Sequence, residues 1–361
     1  MFERRLYHHI DWALLGAIVA LCLIGLANIY SATGGFTRIY YTQIYAIVLG
    51  LGVLVGCLSV DYRSLADRSH WIYLGVIALL VYVLFFGAVR GGSRRWIDLG
   101  SLNLQPSEFA KIALALVLAK FFGETRRGAL NRSDLLIAGA ITAVPLLLIA
   151  RQPDLGTALT LLPVLFGVAY VAGMPMRLFG VLALVGLLAA PIGWRFALQD
   201  YQRERIATFL DPAQDARGAG YQQIQARITV GSGGLWGKGF TEGTQGQLRF
   251  LPVAHNDFIF SVLAEEHGFV GVIVALGLYL FVILRALEAA RLAKDRLGAY
   301  LVLGVLASFT FQVIYNITMS AGLAPVKGLT LPLMSYGGSS MIATLAGFGL
   351  ILNVRMRRFT N

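Results

Sequence analysis

The chain has 361 residues, 57% of them hydrophobic and 14% charged, and a net charge of +11, with a mean hydropathy of +0.70. That is too little polar surface to coat a soluble globule, so the composition excludes a water-soluble enzyme or binding module. The positive charge does not call for a nucleic acid, because basic residues anchored at a cytoplasmic lipid face account for much of it.

Apolar runs follow one another at about 12–31, 41–60, 71–89, 106–122, 133–150, 155–173, 177–197, 258–284, 299–320 and 339–354, most of them near the roughly 20 residues that a membrane helix needs. They describe an all-α integral membrane protein with about ten transmembrane helices, organised as a single domain over residues 1–361. The first run follows Arg4 and Arg5 but is longer than a signal peptide's apolar region, so it reads as a retained anchor. Cys22 and Cys57 fall inside spans and read as packing residues. With the N-terminus in the cytoplasm, sixteen Lys and Arg residues lie on the cytoplasmic side, against seven on the opposite face outside the long loop. That bias puts both termini inside and residues 198–256, the long loop between the seventh and eighth spans, outside.

The exceptions to this bias include Arg90, Arg94, Arg95 and Arg151, at the outer ends of spans. They either snorkel to headgroups or form an anion site, since arginine suits phosphate. The fourth span opens with Gln105-Pro-Ser-Glu-Phe-Ala-Lys111, where Glu108 and Lys111 share a helix face. Glu108 also suits the first turn after Pro106. Lys111 lies deeper, where an unpaired charge costs roughly 2.5–3.5 kcal/mol, and a Glu–Lys pair lining a cavity relieves that cost. Asp154, in Arg151-Gln-Pro-Asp-Leu-Gly-Thr157, reads as a helix-capping acid.

Within the long loop, Val230-Gly-Ser-Gly-Gly-Leu-Trp-Gly-Lys-Gly239 lacks the spacing and the Ser/Thr of a nucleotide-phosphate loop and reads as a turn-rich surface segment. The loop closes with Gly243-Thr-Gln-Gly-Gln-Leu-Arg-Phe-Leu-Pro-Val-Ala-His-Asn-Asp257 before the chain turns apolar again. One reading makes Asn256 the N-cap and Asp257 a first-turn acid of the next helix. The other makes Asp257 a chemical group, because an acid is costly to keep where a loop meets a membrane helix. As a first-turn carboxylate it would be a weak base unless an apolar site or a nearby acid raised its pKa. Glu265, Glu266 and His267 form a buried polar network or mark a helix break before Gly268; adjacent residues do not converge on one metal ion. Segment 320–338, with Pro325, Gly328, Pro332, Gly337 and Gly338, reads as partly re-entrant backbone facing a polar cleft. No hydrolase-elbow, zinc-helix or paired-cysteine motif is present.

The stretches Asn316, Gly322-Leu-Ala-Pro325-Val-Lys-Gly328-Leu and Leu333-Met-Ser-Tyr-Gly-Gly-Ser-Ser340 resemble the signature of the shape, elongation, division and sporulation (SEDS) family. The resemblance extends over Arg95-Trp-Ile, the Gln105 and Arg151 motifs and His255-Asn-Asp-Phe-Ile-Phe260, and Gly243 to Pro252 is similar to the elongation branch rather than the division branch. The chain departs from the pattern at Val253, where Glu is usual, at Asn256, where Thr is usual, and at His267, where an apolar or aromatic residue is commoner.

The resemblance implies a multi-pass protein of the bacterial inner membrane that polymerises lipid II into glycan strands at the outer face. It implies Asp257 as the essential acid, Glu108 and Lys111 as a cavity pair, and a class B penicillin-binding protein with other elongation-complex membrane proteins as partners. The candidate cavity or substrate-binding set is Glu108, Lys111, Arg95, Arg151, Asp154, Lys327, Ser335 and Ser339. Asp257 would deprotonate the 4-hydroxyl of the acceptor sugar, which attacks the anomeric carbon of the lipid-linked donor with inversion. Outer cations or a divalent ion would offset charge on the leaving pyrophosphate; no organic cofactor is called for and no metal ligand is identified. A lipid II flippase and a non-enzymatic scaffold for the penicillin-binding protein are the competing functions.

Overall fold

The computed structural model describes residues 9–90, 93–98, 100, 103–125, 130–192, 194–195, 200–212, 215, 218–247 and 250–359. Arg4, Arg5, Arg126, Arg127, the side chain of Arg90 and the Leu248-Arg249 part of the loop motif lie outside the described residues. In chain order the helices are α1 (Trp12–Thr33), α2 (Arg38–Ser59), α3 (Tyr62–Asp67) and α4 (Ser69–Phe86), followed by strands β1 (Ala88–Arg90), β2 (Ser93–Asp98) and β3 (Asn103–Leu104). Then come α5 (Pro106–Glu124), α6 (Arg132–Ala150), α7 (Leu155–Leu159), α8 (Leu161–Ala172) and α9 (Met176–Ile192). The long loop carries α10 (Asp200–Leu210), α11 (Ala219–Ser232) and α12 (Thr244–Gln247), and α13 (Ile259–Arg291), α14 (Arg296–Ser320) and α15 (Gly338–Met356) complete the chain.

Among the described residues, eight helical segments are long and apolar enough to cross a membrane, with α7 and α8 counted as one. Two further helices bring the bundle to the expected ten. The 19-residue α5 is interrupted by Glu108, Lys111, Lys120 and Glu124, and α9 has 17 residues. The sixth run is broken at Thr160, between α7 and α8. Between α4 and α5 the described residues of the 88–104 connection form an antiparallel meander in the order β1-β2-β3. The long loop carries three helices of its own.

Helix α15 is the axis of the bundle, with 94% of its apolar window buried. It approaches α2 closely because glycines face each other's helix: a Cβ on Gly349 would lie 2.9 Å from the Leu54 carbonyl oxygen, and one on Gly50 would lie 2.5 Å from Leu345. Such small-residue seams let backbones meet where no hydrophobic effect drives helices together. Asn353 of α15 then donates to the carbonyls of Cys57, Leu58 and Val60, closing the end of α2. On that face Asp11 pairs with Arg285 at 2.9 Å and with Arg355 at 2.7 Å, joining the start of α1 to α13 and α15. Some of the cations assigned to the cytoplasm therefore lock helix ends as well as meeting lipid.

Candidate functional site

The segment between α14 and α15 is non-helical from Gly322 to Gly337, as expected from its prolines and glycines. Side chains satisfy part of its backbone. Gln43 of α2 donates to the Ser335 carbonyl and accepts from Gly337 N, both at 3.1 Å. Asn316 of α14 donates to the carbonyls of Leu329 and Asp257, at 2.7 and 2.9 Å. Asn316 thus ties the broken segment to the turn that carries the acid.

That turn, residues 251–257, is set by an unusual backbone. Val253 adopts φ 53°, a left-handed conformation that is uncommon for a β-branched residue. Its carbonyl accepts from Asn256 N at 2.9 Å and from Asp257 N at 3.3 Å. The N-cap of α13 is Phe258, with no side-chain cap, so the expectation that Asn256 caps this helix and Asp257 sits in its first turn is corrected. The αL turn inserts the extra residues, and Asp257 is left free of a capping duty.

Asp257 lines a cavity of about 320 Å³ together with Arg95, Gln105, Glu108, Gly328, Tyr336 and Ser339. No described residue hydrogen-bonds its carboxylate. Gly328 brings backbone close by: a Cβ there would be 3.5 Å from Asp257 Oδ2. Burial pushes the Asp257 carboxyl up to about 6, with the charge of Asp154 adding to the rise and Arg95 and Arg205 opposing it. The group is half-buried because the cavity reaches it while protein surrounds its other sides. The weak base expected of a first-turn aspartate becomes one matched to near-neutral pH.

The surrounding charges are fixed by one another. Arg95 pairs with the buried Asp154 at 3.1 Å. Asp154 also accepts from Gln105 Nε2 at 2.9 Å and caps α7 through Thr157 N at 3.1 Å, in keeping with its reading as a cap. Below, Lys111 donates to Glu108 at 2.7 Å and to Gln312 Oε1 at 3.1 Å, all three being buried. Glu108 lines both the Asp257 cavity and a smaller one of about 30 Å³ that reaches Lys111 and Gln312.

The other expected site residues divide. Ser339 lines the cavity, accepting from Gln105 N at 2.8 Å and donating to the Asn103 carbonyl at 2.7 Å. Ser335 does not line it; its hydroxyl accepts from Leu331 N at 2.8 Å and braces the broken segment. Lys327 precedes the lining Gly328 but lies outside the wall, and burial and the charge of Arg205 hold its ammonium below the usual lysine range. Arg151 is exposed at the end of α6 and lines neither cavity, so its place in the expected site is corrected. Arg205, on α10, was not anticipated; its charge acts on Asp257, Tyr315 and Lys327 together. A basic residue inside a long polar loop carries no sequence signal for that placement.

The glycine-rich stretch of the loop is stapled to α13. Lys238 N and Gly239 N donate to the carbonyls of Glu265 and Glu266, at 2.9 and 3.1 Å, and Phe269 N donates to Gly234 O at 2.9 Å. These bonds use backbone groups freed where α13 breaks at Gly268, φ 62°. Lys238 Nζ closes on Glu265 at 2.6 Å, and Glu266 bonds Ser31 of α1. The trio at 265–267 therefore marks a helix break, and Glu265 and Glu266 within it form a buried network. Among the described residues, no three His, Cys, Asp or Glu side chains gather as a metal site.

Residues 6–359 match the family model of the FtsW, RodA and SpoVE cell cycle proteins. The chain is similar to the peptidoglycan glycosyltransferase MrdB of Escherichia coli, at 41% identity over 352 residues that span 97% of this chain and 94% of that protein. A solved structure of a peptidoglycan synthase complex, described as coordinating polymerization and crosslinking, contains a similar chain: TM-score 0.85, 36% identity, covering 98% of this chain and 99% of that one. The crystal structure of the rod shape determining protein RodA of Thermus thermophilus is similar at TM-score 0.74 and 34% identity, covering 98% of each chain.

Proposed function

The chain belongs to the FtsW, RodA and SpoVE family and is a multi-pass peptidoglycan glycosyltransferase of the inner membrane, and from that premise we propose that it joins lipid II units with Asp257 as the general base. The observation that carries the assignment is the free Asp257 carboxylate, pushed up to about 6 and lining a cavity beside Arg95.

Asp257 takes the proton from the 4-hydroxyl of the acceptor N-acetylglucosamine as that oxygen attacks the donor's anomeric carbon. The bond from that carbon to the pyrophosphate oxygen breaks, and the configuration inverts. Arg95, held rigid by Asp154, offers charge to the leaving pyrophosphate. The Glu108–Lys111–Gln312 set supports the cavity floor with no net charge of its own. Among the described residues no three His, Cys, Asp or Glu side chains gather, so a divalent ion here would draw most of its ligands from substrate phosphates and water. A class B penicillin-binding protein supplies the crosslinking activity, and other elongation proteins complete the assembly.

The test is polymerisation of labelled lipid II by the purified protein and its partner, with the partner's transpeptidase blocked. Glycan strands from the wild type and none from Asp257→Asn are expected. Equal products from both would remove Asp257 from the mechanism. Lipid II translocation without polymer from the wild type would return the transport reading.

A further inference from the structure

A second, larger cavity of about 850 Å³ lies on the other side of the 251–257 turn, lined by the outer ends of α1 and α2 and by the loop. Pro252 to His255 line this cavity, whereas Asn256 and Asp257 line the first. One short turn is thus the partition between the two. Its far face is held by Tyr336, which lines the first cavity, donates its N–H to the His255 carbonyl at 3.0 Å and sets its ring edge-on to the imidazole at 5.7 Å.

Among the described residues, the lining of the larger cavity contains no Lys, Arg, Asp or Glu. Its volume falls within the roughly 300–1,000 Å³ of small-molecule sites. Ser31, Thr33, Thr37 and Thr241 bring hydroxyls, and Tyr30 brings an aromatic face. The hydroxyl protons of two of these are already committed: Ser31 donates to Glu266, and Thr33 donates to the Ile29 carbonyl at 2.8 Å. What those oxygens can still offer is lone pairs. Tyr30, Thr37 and His255 add donors to these acceptors, and a neutral wall of this mixed kind offers phosphate no counter-charge while it suits the hydroxyls and amides of a sugar, with an aromatic ring beside an apolar sugar surface.

We propose that this cavity is a saccharide subsite, which holds the neutral N-acetylated sugars next to the reacting bond while the pyrophosphate stays in the charged cavity. The inference rests on the polymerase reading and adds where the sugars lie. The sugars could belong to the incoming disaccharide or to the growing strand; their chemistry is the same.

Two ligands test it on the full-length protein: an N-acetylglucosamine tetrasaccharide, which has the sugars and no phosphate, and undecaprenyl pyrophosphate, which has the phosphates and no sugar. Thr33→Trp fills the cavity from α1, and Val253→Trp fills it from the turn, so failure of one variant to fold leaves the other. Each is expected to weaken tetrasaccharide binding by about tenfold or more and to leave undecaprenyl pyrophosphate binding intact, which also reports a folded protein. Lipid II polymerisation by the same variants, run with disaccharide monomer or with preformed strands, tells which sugar source is lost. Tetrasaccharide binding that is absent in the wild type or indifferent to both substitutions overturns the proposal, as does loss of undecaprenyl pyrophosphate in its place. Asp257→Asn separates the two claims: it is expected to bind the tetrasaccharide normally even though it makes no polymer, so the saccharide site can stand or fall apart from the catalytic assignment.

Discussion

The two faces of the 251–257 turn are built from opposite chemistry. The smaller cavity concentrates Arg95, Glu108 and Asp257, with Asp154 just behind, and holds most of these charges in fixed pairs. The larger has hydroxyls, glycine backbone and an aromatic ring, and no formal charge among the described residues of its lining. Charge that is paired and buried costs no reorganisation during a reaction and acts strongly where water is scarce. A neutral wall, by contrast, lets a long polar ligand bind and move without breaking ion pairs. The Asp257 carboxylate is the one acid at this boundary with no hydrogen-bonding partner among the described residues, and it faces the charged side.

The strongest way to break this contrast is to neutralise that carboxylate. Asp257→Asn is expected to lower polymerisation by about 10²–10⁴-fold, the range for loss of a general base. The wild-type kcat/KM should rise with pH through about 6, since only the ionised carboxylate can accept the proton. Stability moves the other way. The folded protein holds the Asp257 proton more tightly than the unfolded chain between pH 3.8 and about 6, so stability falls as pH rises across that window. Asp257→Asn should therefore melt higher than the parent above pH 6, with the gap closing toward pH 4. A variant that is inactive and also less stable at pH 7.5 would mean that Asp257 is held by contacts other than those described.

The next largest effect concerns the floor of the charged side. Lys111→Met leaves Glu108 buried and unpaired, an outcome that costs about 3–5 kcal/mol, whereas the double variant Glu108→Gln, Lys111→Met restores neutrality and should recover most of it. Thermal unfolding of the single and double variants reads this directly. Equal losses from both would show that the pair contributes through shape rather than charge.

A smaller change sharpens the electrostatics at Asp257. Arg95 lowers the Asp257 pKa, and its removal also frees the negative charge of Asp154, which raises it. Both act in one direction, so Arg95→Leu should move the midpoint of the pH–rate profile above 6 and depress activity more at pH 6 than at pH 8. A midpoint that stays in place would remove Arg95 from the field at the base.

The parts of this arrangement that were legible in the sequence are those carried by local rules. Apolar run length gave the helices, and i,i+3 spacing placed Glu108 beside Lys111. Glycine and proline density marked the break before α15. What was hidden depends on distant partners. Gln43 looks like one polar residue near the start of an apolar run, yet its amide holds Ser335 and Gly337 almost 300 positions away. Arg151 and Lys327 carry the charge expected of an anion site, but neither lines the Asp257 cavity: Arg151 follows α6 at an exposed position and Lys327 lies in the non-helical segment beside the lining Gly328. The residues alone left Asp257 open between a helix start and a chemical role, because nothing in the spacing announces that Val253 enters the left-handed region and that the cap falls at Phe258.

Val253 also supplies the mildest test of the partition. A β-branched residue at φ 53° carries about 1–2 kcal/mol of strain, and glycine would relieve it at a cost of about 0.5–1 kcal/mol in chain entropy. Val253→Gly should then gain between about 0 and 1.5 kcal/mol, seen as a small rise in melting temperature. The informative reading is the pH midpoint of the same variant. Two contacts hold the turn independently of its own dihedral: Tyr336 N to the His255 carbonyl, and Asn316 to the Asp257 carbonyl. If they suffice, the midpoint stays near 6 and the strain is incidental to catalysis. If the midpoint drops toward the ordinary aspartate value, the glycine has let the carboxylate swing into water, and the left-handed valine is what keeps the base on the charged side of the wall.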